Sequence, residues 1–129
     1  MRLFAPSVIA AAALAASLAM TPLRPAEAQT VIRVCAVNQS GLVMRTRFTY
    51  ADWQGTRHTS RWVTSALGER NCATLQDLQS LTIELEYASV TGWARPNGCF
   101  GGNIPMSHRE NSTLFLTGTV FTFHCNREQ

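Results

Sequence analysis

LTIELEYASVTGW, residues 81–93, decides how the rest of the chain is read. Leu81, Ile83, Leu85 and Tyr87 alternate with Thr82, Glu84 and Glu86. In a strand, an interval of two puts the first set on one face and the second on the other. The spacing predicts a half-buried strand that runs into a loop, VTGWARPNGCFGG, residues 90–102. That loop holds four of the chain's eight glycines, so it is read as a tip rather than as a continuation of the strand.

The same period recurs upstream. Leu42, Met44, Phe48 and Tyr50 share one face of residues 42–50, with Arg45, Arg47 and Thr49 on the other. Val31–Val37 is rich in β-branched residues, and NQSG then signals a turn. ADWQGTRHTS, residues 51–60, reads as a polar loop, followed by short strands over residues 61–66 and 72–75. Residues 77–80 are expected to form a helical turn. The last strand is expected over residues 113–124, with Phe115, Phe121 and Phe123 on one face and Gly118 marking a bend or bulge. Short strands punctuated by Gly and Asn turns argue for an all-β fold, an antiparallel two-sheet β-sandwich.

Residues 1–28 have the layout of a secretory signal peptide: Arg2, an apolar run over residues 7–20, then Ala-Glu-Ala before the expected cleavage point. Residues 29–129 then form a single domain, expected to be secreted or periplasmic in a bacterial host. The whole chain carries +3, and losing Arg2, Arg24 and Glu27 leaves +2. There is no lysine and no basic run, so nucleic acid is not an expected partner.

Cys35, Cys72, Cys99 and Cys125 all lie in the expected mature part. An even count in a small exported domain reads as two disulfides, whereas zinc sites usually pair their ligands at short spacing. Four cysteines allow three connectivities, and the sequence alone does not choose among them. Joining neighbouring segments favours Cys35–Cys72 and Cys99–Cys125.

Catalytic patterns are weak. Glu84 and Glu86 share a strand face with α-carbons roughly 6–7 Å apart. Two-carboxylate chemistry normally draws its acids from opposite sides of a cleft, so these two read as a solvated face answered across the sheet by Arg45 and Arg47. His58, His108 and His124 are scattered and do not suggest a metal site, and no serine has a glycine-flanked nucleophile pattern. No enzymatic activity, cofactor or metal is expected. NQS at Asn38 and NST at Asn111 fit the glycosylation acceptor pattern and are expected to go unused in a bacterial chain.

Three blocks in order, NQSGLVMRTRFTY (residues 38–50), LTIELEYASVTGW (residues 81–93) and LFLTGTVFTFHC (residues 114–125), resemble the C-terminal β-sandwich of the thiol-activated, cholesterol-dependent cytolysins and its stand-alone secreted relatives. The resemblance spans almost the whole expected mature chain. It implies a sandwich that meets sterol-containing membranes through loops at one end. Thr91 and Gly92 match the family's Thr-Gly. Val90 stands where its cysteine would be, and Trp93 is the loop's only tryptophan. Thr119 matches the framework of the last block. Val120 and Phe121 stand where the family has its sterol-contacting Thr-Leu pair.

The expected function is a non-enzymatic binding module, not pore-forming by itself. Thr91, Gly92, Trp93, Arg95, Phe100, Thr119, Val120 and Phe121 would contact a lipid surface or a small apolar ligand. The alternative is a protein-interaction or inhibitor module of the cell envelope, with the loop carrying Trp53 and Arg57 as a second contact.

Overall fold

A computed structural model describes residues 30–128. The expected signal peptide lies outside the described residues. Ten strands follow in order: β1 (Val31–Asn38), β2 (Met44–Asp52), β3 (Arg57–Thr59), β4 (Val63–Ser65), β5 (Arg70–Gln76), β6 (Leu78–Ser89), β7 (Gly92–Ala94), β8 (Asn103–Pro105), β9 (Ser112–Gly118) and β10 (Phe123–Glu128).

They form the all-β two-sheet sandwich that the alternation predicts. One sheet runs β10-β9-β1-β5. The other is built on two long central strands, β2 and β6, each flanked by two short pieces: β3 and β4 along β2, β7 and β8 along β6. Pairing is antiparallel throughout the described residues except between β1 and β9, which run parallel.

The core is the union of the inward faces. Val34 and Ala36 of β1, Met44 and Phe48 of β2, Leu81, Ile83 and Leu85 of β6, and Leu114 and Leu116 of β9 are all buried. The period-two reading of β2 and β6 therefore placed the core correctly. Both disulfides join neighbouring segments. Cys35–Cys72 bridges directly opposed residues of β1 and β5 within one sheet. Cys99–Cys125 ties the β7–β8 connection to β10 of the other sheet.

Three expectations are corrected. The polar loop contains β3, which pairs with Thr49–Ala51 once the chain has reversed at residues 53–56. Residues 77–80 are not helical. Asp77 alone takes a left-handed φ of 58°, and Leu78 already belongs to β6. Aspartate tolerates that conformation, and its carboxylate accepts the Thr30 N–H at 2.6 Å.

The long last strand is a hairpin. Gly118, at φ 107°, starts the reversal, and a Cβ there would lie 2.0 Å from the Thr122 carbonyl oxygen. The Thr119 hydroxyl accepts the Phe121 and Thr122 N–H groups at 3.2 and 3.3 Å and holds the turn. The reversal separates the three phenylalanines. Phe115 is half-buried on the outer face, Phe121 sits at the exposed tip and Phe123 enters the core.

Candidate functional site at the loop end and the adjoining sheet face

Strand directions gather four connections at one end of the sandwich. Met44 opposes both Tyr87 and Ser65, so the β1–β2 turn, the β4–β5 turn and the β6–β7 tip share that end. Leu116 lies beside Asn38 in the parallel pair, which brings the β9–β10 hairpin there as well. Each connection exposes an apolar side chain: Val43 (45%), Leu67 (69%), Val90 (104%) and Phe121 (89%).

These loops are ordered by polar groups behind them. Asn38 is 1% exposed, and its amide NH2 donates to the carbonyls of Leu42 (2.7 Å) and Ser65 (2.9 Å). Its Oδ1 accepts the Ser40 N–H at 2.9 Å and the Ser40 hydroxyl at 2.7 Å. Its backbone joins the β4–β5 turn through Asn38 N–H to the Glu69 carbonyl and Gly68 N–H to the Asn38 carbonyl. A side chain so enclosed is a structural joint, not a glycan acceptor.

Next to this end, the outer face of the β2–β6 sheet carries an ordered run of cations and indoles. The Arg45 guanidinium lies 4.4 Å from the Trp62 ring centroid and 4.5 Å from that of Trp93. Arg47 stands 4.4 Å from Trp62. Across the strand pair, Arg45 bonds Glu86, and Arg47 Nε donates to Glu84 at 2.8 Å. The Thr49 hydroxyl donates to Glu84 at 2.7 Å, and Arg95 reaches Glu84 at 3.2 Å and Glu86 at 3.5 Å.

The Arg47 guanidinium, helped by Thr49 and Arg95, holds the Glu84 carboxyl at about 2 against the opposing effect of partial burial. Its bond to Glu84 in turn raises the Arg47 pKa. A carboxylate so satisfied is permanently ionised near neutrality and makes a poor proton donor.

Arg95 also donates to the Gly102 carbonyl at 3.3 Å and to Asn103 Oδ1 at 3.2 Å, drawing together the two ends of the glycine-rich loop. Inside that loop, Gly98, Cys99, Phe100, Gly101 and Gly102 all have positive φ and form one left-handed turn. A Cβ on Gly102 would lie 2.5 Å from the Leu85 carbonyl oxygen, so only glycine fits this approach to β6. For Cys99 and Phe100 the left-handed region costs roughly 1–2 kcal/mol each.

The residues expected to bind therefore divide between three places. Thr91, Gly92, Thr119, Val120 and Phe121 lie at the loop end. Trp93 and Arg95 turn onto the outer sheet face, where the Trp93 indole, 39% exposed, covers Arg45. Phe100 is exposed on the left-handed turn, alongside mid-β6 rather than at the loop end. Trp53, on the β2–β3 hairpin, lies at the opposite end.

Sequence reasoning missed Val43, Leu67 and Val90 as members of the apolar end, and Trp62 as the centre of the cation–indole run. The signal for Leu67 was an apolar residue isolated inside a turn. For Trp62 it was an indole following an Arg-x-Arg strand.

Among the described residues no group of three or more His, Cys, Asp and Glu is placed to hold a metal. His58 bonds Asp52 at 2.9 Å, which lowers the Asp52 pKa. No helix among the described residues is long and apolar enough to cross a membrane.

No family model matches the chain, and no curated protein does either. Solved structures do. The membrane-binding domain of pneumolysin superposes with a TM-score of 0.54 at 10% identity, over 77% of this chain and 96% of that one. Listeriolysin O gives 0.54 at 9% identity, over 77% of this chain and 22% of the toxin. A non-hemolytic pneumolysin from Streptococcus pneumoniae gives 0.53 at 10% identity, over 76% of this chain and 23% of the toxin. At such identities the likeness is one of fold, and the chain spans less than a quarter of the whole toxins.

Proposed function

From a chain with the fold of the C-terminal, membrane-binding domain of the cholesterol-dependent cytolysins, we propose a non-enzymatic binding module that meets a lipid surface or a small apolar ligand through its loop end. It does not form pores by itself. The observation that carries this reading is the convergence of exposed Val43, Leu67, Val90 and Phe121 at one end. Scattered apolar residues need no explanation, but four at the tips of four loops at one end make a surface suited to an apolar phase.

Burying each of these side chains stabilises a bound state by about 1.5–3 kcal/mol before the costs of association. Val120 and Phe121 offer no side-chain hydroxyl to a sterol, so binding is expected with or without sterol. The chain is taken to act in the periplasm or outside the cell after cleavage behind Ala28. N-terminal sequencing of exported protein should begin at Gln29.

Co-sedimentation with liposomes of several compositions, with and without sterol, tests the reading. A disulfide-bonded, folded chain that stays in the supernatant with every mixture would sink it.

A second reading, a protein-interaction or inhibitor module of the cell envelope, is favoured by the sheet face bearing Trp62 and Trp93. Its arginines are held in place by Glu84 and Glu86, so little side-chain freedom is lost on docking. Capture of one stoichiometric envelope protein, abolished by Trp62→Ala but not by Phe121→Ala, would support it over lipid contact.

A further inference from the structure

The outer face of the β10-β9-β1-β5 sheet is chemically unlike the outer face of its partner. On the β2–β6 sheet, Arg45, Arg47 and Arg95 are each paired with a carboxylate. Arg33 and Arg70 have no carboxylate within ion-pair distance among the described residues. Both line the same open cavity of about 320 Å³, whose wall includes Cys35 of the intra-sheet disulfide.

The rest of the lining is rich in hydrogen-bond donors. Asn111 Oδ1 accepts the Arg33 backbone N–H at 2.8 Å, which fixes the amide and leaves its NH2 group without a partner among the described residues. Thr113, beside Cys35 in the parallel pair and on the same outer face, adds a hydroxyl, whereas the Ser112 side chain lies beside Val34 and faces the core. Glu128 is the lone acid. Two guanidiniums without a carboxylate partner among the described residues, a fixed amide and a hydroxyl around a cavity large enough for a small ligand favour an anion with several acceptor oxygens.

We propose that this cavity binds a tetrahedral oxyanion, a phosphate or sulfate group carried by a soluble ligand. Arg33 and Arg70 supply the charge, and Asn111 and Thr113 supply neutral donors. The ligand is soluble because of where the cavity lies. β9 runs from Ser112 to Gly118 at the loop end, six steps or roughly 20 Å of strand. That exceeds the roughly 5–8 Å of headgroup layer on one side of a bilayer. A module standing on its loop end holds this cavity clear of the lipid, so the soluble source of the ligand rests on the lipid-contact reading while the anion site itself does not.

The test is a titration of the ¹⁵N-labelled, disulfide-bonded chain with inorganic phosphate, sulfate and glycerol phosphate, followed by amide chemical shifts. Saturable shifts confined to Arg33, Asn111, Ser112, Thr113 and their strand neighbours are expected. Arg33→Gln and Arg70→Gln should each weaken binding at least tenfold. Glu128→Gln should tighten it a few-fold by removing the opposing charge. All three variants should co-sediment with vesicles like the parent, which separates failure here from failure of lipid contact.

Non-saturating shifts, shifts spread over Arg45, Arg57 and Arg61, or unchanged affinity in both arginine variants would overturn the proposal. Equal affinity for acetate would overturn the tetrahedral ligand.

Discussion

Phe121→Ala isolates the contribution of a single loop tip. Phe121 is 89% exposed in the free chain, so nearly all of its ring is available for transfer and little of it supports the fold. Full burial of a phenylalanine side chain is worth about 1.5–3 kcal/mol, and about 2 kcal/mol remains after allowing for the alanine methyl. At 1.4 kcal/mol per tenfold, vesicle affinity should fall about 30-fold. Stability should move by no more than about 0.5 kcal/mol, because an exposed side chain is being trimmed. The assay pairs the partition coefficient from vesicle titration with urea unfolding of the same preparations. Leu67→Ala, on a separate loop, should give a smaller loss that adds to the first. If the parent binds vesicles and both variants bind equally well, the loop end is not the contact surface and the reasoning fails.

Other perturbations probe the frame. Replacing Cys99 and Cys125 by alanine opens a bridge across 26 residues and should cost about 3.5 kcal/mol by loop-closure entropy, read by chemical denaturation. Gly118→Ala forces a Cβ against the Thr122 carbonyl at a φ that alanine disfavours, and should lower stability by at least about 2 kcal/mol in a thermal melt. Glu84→Gln leaves Arg47 and Arg95 with one carboxylate fewer and should cost about 1 kcal/mol. The folded-state pKa of Glu84 lies below its ordinary value. Its contribution should therefore be complete above about pH 4.5 and decline as pH falls toward 2. The Gln variant should lack that part of the acid dependence in pH-resolved unfolding.

The core was legible because it depends on a local rule. Residues two apart on β2 and β6 fall on one face whatever the topology, and Met44, Phe48, Ile83 and Leu85 are buried as their spacing requires. The Arg-x-Arg and Glu-x-Glu pairs were legible for the same reason, once the two strands were placed side by side. The hairpin at Gly118–Thr122 was hidden because Thr-Val-Phe-Thr has strong strand propensity. The Gly118 conformation and the Thr119 hydroxyl override it. The apolar end was only half visible. Phe121 and the Thr-Gly loop stood out, but Val43 and Leu67 join them through pairings of β1, β4 and β5 that no short stretch of sequence encodes.

Asn38 gives this end a mechanical character. With both amide hydrogens and both lone pairs of Oδ1 engaged, it rivets the β1–β2 and β4–β5 turns into one piece. Val43 and Leu67 cannot flex independently to follow an uneven surface. On the lipid-contact reading the end would act as a stamp rather than as fingers, meeting a flat apolar boundary all at once and gaining little from one that admits a single side chain. Curvature and looseness of the target should therefore matter as much as its chemistry.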